Sequence, residues 1–148
     1  MRMTEGDHNG NEDLDRIARQ FIESIPHARA LGMTLEHIGR GEASISMAWN
    51  ADFVGEPRSG VIHGGVISAL MDTCSGAAVL SHPAAPRTTA TIDLRIDYMR
   101  GATPGQRIVA HASCYHVTRS VAFVRVRAVD DDQENPVATA TGAFTVER

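Results

Sequence analysis

The sequence predicts an α+β fold in which an antiparallel sheet of about six strands wraps round one central apolar helix, with an amphipathic helix ahead of it. Three observations carry that prediction. One segment of helix length, from 64 to about 80, is apolar nearly all round, with Val66, Ile67, Ala69, Leu70, Met71, Ala77, Ala78, Val79 and Leu80 spread over every side. From about 88 onward the chain follows the two-residue period of long strands with short connections, which favours antiparallel pairing. A single apolar stripe at helical spacing precedes both. A helix with no polar face has to be covered on all sides, so the sheet must curl around it.

The elements follow in order. Residues 1–12 have the composition of a disordered or loosely ordered tail before a single domain over 13–148. Leu14, Ile17, Ala18, Phe21, Ile22 and Ile25 then mark one face of a helix that Asn11 or Asp13 can cap and Pro26 ends. At Met33 the period changes to two. Strands over 33–38 and 43–49 flank Gly39-Arg40-Gly41, a glycine hairpin turn. The stretch 50–59, with Gly55 and Pro57, reads as loop. The apolar helix follows and is stopped before Pro83 and Pro86. Over 88–99 the alternation sets Ile92, Leu94, Ile96 and Tyr98 on one face, and Thr91, Asp93, Arg95 and Asp97 on the other. Strands over 107–117, 120–130 and 137–146 complete an expected meander.

At 148 residues, 43% hydrophobic and 22% charged, the chain is one ordinary globular domain. A net charge of −4 argues against nucleic acid as a partner. Every basic residue is Arg and none is Lys, which coding bias explains more readily than a preference for planar phosphate-binding forks, though composition alone does not choose between them. Cys74 and Cys114 form neither a disulfide framework nor a zinc pattern. With no signal peptide and no segment of membrane-spanning length, a cytoplasmic location away from membranes is expected.

Several chemistries can be set aside. There is no nucleophile elbow and no Walker or dinucleotide loop. No histidines pair at H-x-H or H-x-x-x-H spacing, so no metal is expected, and His111 and His116 on one strand should face opposite ways. Cys74 lies about 16 Å along the helix from His63, too far to form a nucleophile pair. What remains is His63-Gly64-Gly65 and Asp72. The first N–H groups of a helix lack intrahelical partners and sit at the positive end of its dipole. Glycines there admit an outside group, as an anion or oxyanion site requires, though a plain glycine turn would look the same. A carboxylate inside an apolar helix needs either a structural partner strand or a chemical role. Gly64 and Asp72 are roughly 12 Å and about 80° apart on one helix. They can act on one carbonyl only if one of them comes from a second copy of the chain, which implies a two-fold dimer.

Gly60-Val61-Ile62-His63-Gly64-Gly65 with Asp72 nine residues after the histidine resembles the hotdog-fold thioesterases of the phenylacetate-pathway and 4-hydroxybenzoyl-CoA type. Thr91-Ile92-Asp93-Leu94-Arg95-Ile96-Asp97-Tyr98-Met99-Arg100 and Gly142-Ala143-Phe144 are similar to that family too. The resemblance implies an acyl-CoA substrate, no cofactor, and a homodimer as minimum unit within a homotetramer. It implies that Gly64 donates its N–H to the thioester carbonyl and that Asp72 of the partner subunit is base or nucleophile. His63 would fix the turn, Thr91 would position water or substrate, and Gly65 would line the substrate entry. Arg100 and Arg119 match basic residues near the CoA phosphates, or are solvated strand-end arginines. One departure stands out: many relatives carry asparagine six residues before the histidine, where this chain has Pro57 preceded by Glu56. A non-catalytic acyl-CoA-binding protein and a hydratase or dehydratase are the alternatives on the same fold.

Overall fold

The computed structural model describes residues 6–148. Its elements are α1 (Gly6–Ser24), α2 (Pro26–Ala30), β1 (Met33–Gly39), β2 (Glu42–Met47), β3 (Val54–Glu56), β4 (Val61–Ile62), α3 (Gly64–Leu80), β5 (Thr91–Tyr98), β6 (Ile108–Val117), β7 (Val121–Val129) and β8 (Ala138–Thr145). Six strands form one sheet in the order β1-β2-β6-β7-β8-β5, antiparallel throughout. The sheet wraps α3, which buries Ile67, Leu70, Met71, Cys74, Ala77, Ala78 and Val79 mainly against β6, β2 and β7. Cys74, sealed under β2 and β6, has its thiol pushed up to about 12 by burial. No helix among the described residues is long and apolar enough to cross a membrane.

Four expectations change. The first helix starts at Gly6, so residues 6–12 of the expected tail are helical, while 1–5 lie outside the described residues. Once α1 docks on β1, each further turn costs little, because propagation follows nucleation. Pro26 both ends α1 and opens α2, where its fixed φ suits a first helical position. The expected loop over 50–59 is ordered as a 3-10 turn (Ala51–Phe53) and a small hairpin of β3 and β4. The last strands are not a simple meander either: β5 sits on the far edge beside β8, and the chain crosses the sheet end to reach β6. The hairpin between β1 and β2 is as expected, with Arg40 and Gly41 both at positive φ (53° and 87°) in a two-residue turn.

Two bulges reassign faces. In β5 the register shifts between Thr91 and Asp93, so Thr91 pairs with Phe144 and Asp93 with the adjacent Ala143. Phe144 is buried toward α3, so Thr91 joins it on the helix side rather than with Asp93, Arg95 and Asp97. Ile92 is left over, 56% exposed. The Ala143 N–H donates to Asp93 Oδ1 at 3.0 Å, which satisfies the interrupted ladder. In β6 a second shift between Cys114 and His116 pairs His111 with Arg127 and His116 with Phe123. Both histidines therefore lie on the outer face, contrary to the simple alternation.

Gly142 is what lets β8 accept the first bulge. A Cβ there would stand 2.5 Å from the Asp93 carbonyl oxygen and 2.8 Å from Leu94 Cδ1. Gly142→Ala is expected to cost ~2 kcal/mol and lower the unfolding midpoint by roughly 5 °C. Gly76→Ala on α3, where an added Cβ meets nothing within 4 Å, should hold or raise it. Calorimetry of the pair checks the contrast, and equal midpoints would remove the packing role of Gly142.

Candidate active site

The entry to α3 is built by its own cap. His63 precedes the helix with extended backbone (φ −59°, ψ 134°), and its Nδ1 accepts the Gly65 N–H at 2.8 Å. The Val66 N–H is taken by the His63 carbonyl at 3.0 Å. The Gly64 N–H finds no acceptor among the described residues. Of the two glycines, then, Gly64 keeps an open donor at the positive end of the helix, while Gly65 spends its own on the cap. Sequence placed Gly65 on substrate; its donor is instead part of the turn, and an added Cβ there would meet His63 Nδ1 at 2.9 Å.

The walls of this entry come from three elements. The Tyr98 hydroxyl donates to the Gly64 carbonyl at 2.9 Å, and its ring stands 3.3 Å from where a Gly64 Cβ would be. The β3–β4 hairpin seats on His63 so closely that a Cβ on Gly55 would lie 2.8 Å from His63 Cα. The turn between those strands is held by Glu56, whose carboxylate accepts the N–H groups of Arg58 (3.0 Å) and Ser59 (2.7 Å). Bonds from the Ser59 side chain and from these N–H groups hold its carboxyl below the usual carboxylate range. Glu56, beside the departure at Pro57, is thus committed to the turn. Val61, Ile62, Gly64, Ile67, Tyr98 and Ala102 line a hollow of about 260 Å³ at this end.

Asp72 opens elsewhere. It is half-buried, and Thr91 Oγ1 donates to its Oδ1 at 2.6 Å across the gap between α3 and the edge strand. The bulge in β5 makes that bond by turning Thr91 inward. Asp72, Thr73, Gly76, Thr91 and Phe21 of α1 help to line a second hollow, of about 250 Å³, that shares no residue with the first. Strand register places Tyr98 and Ala138 at one end of the sheet, and Thr91 with Phe144 at the other. Arg119, exposed in the β6–β7 turn, sits at the Thr91 end.

Arg100 also lines the hollow at Gly64. All five of its donors are used within the chain. Two go to Asp130 (2.7 and 2.6 Å), two to the Asn135 carbonyl (3.0 and 2.8 Å) and one to the Gly101 carbonyl (3.3 Å). Asp130 is buried and also accepts the N–H groups of Thr103 and Asp132. The guanidinium, ahead of these N–H bonds, holds its carboxyl well below the usual carboxylate range. Arg100 ties the β5–β6 crossing to the β7–β8 turn and leaves no donor for a phosphate.

A glycine-entered helix with a free first N–H, wrapped by this sheet, has known counterparts. The thioesterase superfamily model matches residues 59–137, from the turn before His63 to the start of β8. The chain belongs to the thioesterase superfamily. It is 30% identical over 146 residues to the medium/long-chain acyl-CoA thioesterase YigI of Escherichia coli, covering 90% of this chain and 93% of that one. A Pseudomonas aeruginosa crystal structure superposes with a TM-score of 0.79 at 36% identity, covering 90% of this chain and 99% of that one. A variant of the phenylacetic acid degradation protein PaaI from Thermus thermophilus gives 0.73 at 29% identity, covering 82% and 99%. The hotdog fold and the enzyme class expected from the sequence, a thioester hydrolase, agree with this membership.

Residues beyond those expected also shape the two hollows. Tyr98 over Gly64 ends the apolar alternation of β5, and that position was its only signal. Phe21 beside Asp72 belongs to a stripe that sequence assigns to mere covering.

Arg100→Ala should cost about 3 kcal/mol at neutral pH, because it leaves Asp130 buried without its main partner. The depressed carboxyl makes that contribution present above an unfolded pKa of about 3.9 and lost as pH falls through the folded value. Denaturant titrations at neutral pH and near pH 3 should show the gap between wild type and variant narrowing in acid. A gap that widens there would contradict the assignment.

Proposed function

We propose that the chain is an acyl-CoA thioesterase that hydrolyses R-CO-S-CoA to the free acid and CoA. Each site takes Gly64 from one protomer and Asp72 from the other. The observation that carries the reading is the separation of the two groups: one chain opens Gly64 into one hollow and Asp72 into another. Two copies packed with their α3 helices antiparallel would bring each Gly64 to the partner's Asp72 and form two equal sites. The edge position of β5, with Ile92, Tyr98 and Met99 exposed along it, supports a partner on that side. The name of the YigI relatives supports medium- and long-chain acyl-CoA as the substrate class.

In this scheme the thioester carbonyl oxygen accepts the Gly64 N–H. Charge developing on that oxygen is met by the same donor and by the helix dipole. Tyr98 holds the Gly64 peptide in place from its other side, and His63 keeps Gly65 in the cap. Asp72 takes a proton from the water that attacks the carbonyl carbon, or attacks that carbon itself to form a mixed anhydride that water then hydrolyses to the free acid and the restored carboxylate. In either case water supplies the proton for the departing thiolate, and Thr91 orients the carboxylate. The CoA thiolate leaves and takes a proton. Arg119 stands at the Asp72 end, free to meet a phosphate.

Asp72→Asn keeps an acceptor for Thr91 but removes the base, so kcat should fall about 10²- to 10⁴-fold with the assembly intact. Gly64→Pro deletes the N–H and adds a ring whose Cβ would stand 3.3 Å from Tyr98, a contact the aromatic ring must yield slightly to admit. Proline is tolerated at a first helical position, and His63 already has the extended backbone that a residue before proline needs. Its kcat should fall roughly 10²-fold or more. Co-expressing the two inactive variants should regenerate one intact site per mixed dimer, roughly a quarter of wild-type activity for random pairing. Free-thiol release from acyl-CoA reads all three. Full turnover by Asp72→Asn ends the catalytic assignment, and a mixture as inactive as its parts ends the shared site.

A further inference from the structure

We propose that the acyl chain runs from Asp72 beneath α1, into an apolar trough between α1, the end of β1 and the last turns of α3, so that α1 sets the chain length accepted. The proposal deepens the thioesterase reading and rests on it. The hollow beside Asp72 does not stop at Phe21. A second hollow, of about 670 Å³, adjoins it across Phe21, Ile22, Ala77 and Leu80, which line both, so an acyl chain leaving the first would enter the second over these residues. The far stretch adds Ile17, Ala18 and Ile38 and ends at the Gly39-Arg40 turn and His82.

Three features suit a hydrocarbon chain there. The floor is open one helical turn beyond Asp72, because Gly76 has no side chain and an added Cβ would meet nothing within 4 Å. The walls are mostly aliphatic or aromatic, with the polar Asp15, Arg40, Ser81 and His82 among the remaining lining residues. The pantetheine arm of CoA carries amides that need partners, whereas a polymethylene chain needs none. The third feature is the state of α1, which leaves Ile17 57% and Phe21 56% exposed while burying Ile22. The apolar rim therefore outlasts what the covering of β1 requires.

With α1 as its roof, the trough runs its length along α3. Nine residues separate Asp72 from Ser81, about 13 Å of axis. An extended chain advances roughly 1.2 Å per bond, so the trough takes on the order of ten carbons. Each buried methylene should raise kcat/KM about fourfold until the trough is full.

The test is a series of butanoyl-, octanoyl-, dodecanoyl- and hexadecanoyl-CoA offered to the full chain and to two variants that fill the far stretch from opposite walls, Ala18→Phe and Ile38→Phe. In wild type, kcat/KM should climb steeply from butanoyl to octanoyl and flatten near dodecanoyl. In either variant dodecanoyl-CoA should lose at least about tenfold while butanoyl-CoA is unchanged. Two walls are used so that misfolding of one variant leaves the other to decide. Unchanged chain-length profiles in a folded variant overturn the trough and leave the thioesterase standing. Absence of hydrolysis of every thioester by wild type overturns the enzyme reading and this inference with it.

Discussion

The structure depends on one constraint: α3 has no polar side to give to water. Burial of such a helix requires strands on nearly every side, and a single sheet can supply them only by curling. Everything near α3 must then be apolar except where the helix meets the limits of the sheet. Those limits are its N-terminus, which passes out under Tyr98, and the flank that carries Asp72, which faces the edge strand rather than the middle of the sheet. Polar function gathers at these two openings because the face between them, with Ile67, Leu70, Met71, Cys74, Ala78 and Val79, is sealed against the sheet.

The edge strand is where local irregularity does the positioning. Without the register shift after Thr91, its hydroxyl would point to the outer face and Asp72 would face backbone alone. The shift needs a partner strand with no side chain at one position, and Gly142 provides it. The residue that orients the carboxylate and a glycine on the neighbouring strand are thus parts of one device. Tyr98, at the other end of β5, touches Gly64. A single strand therefore holds both openings in place relative to the sheet.

Much of this was legible in the residues. The extent of α3, the β1–β2 turn and the number of sheet strands follow from periods and glycine placement, because burial imposes them directly. His63, Gly64 and Asp72 stood out because each breaks its surroundings: two glycines open a helix and a charge sits in an apolar run. The face of Thr91 was not legible, since a bulge inserts one residue without changing composition, and the same holds for His111 and His116. Nor was Arg100. Its fork looks the same to a phosphate as to Asp130, and only the crossing of the chain from β5 to β6 brings Asp130 within reach. The trough under α1 was hidden because an apolar stripe implies a covered face, not a gap beneath it.

The bulge at Ile92 has a bearing on solubility. An unpaired strand offers its backbone to any extended peptide, and long flat edges seed aggregates. Here the straight run is cut short near Thr91, and Asp93, Arg95 and Asp97 line its outer face, so a stray strand meets a kink and alternating charge. The irregularity that aims one hydroxyl also makes this edge of the sheet a poor template for unrelated chains.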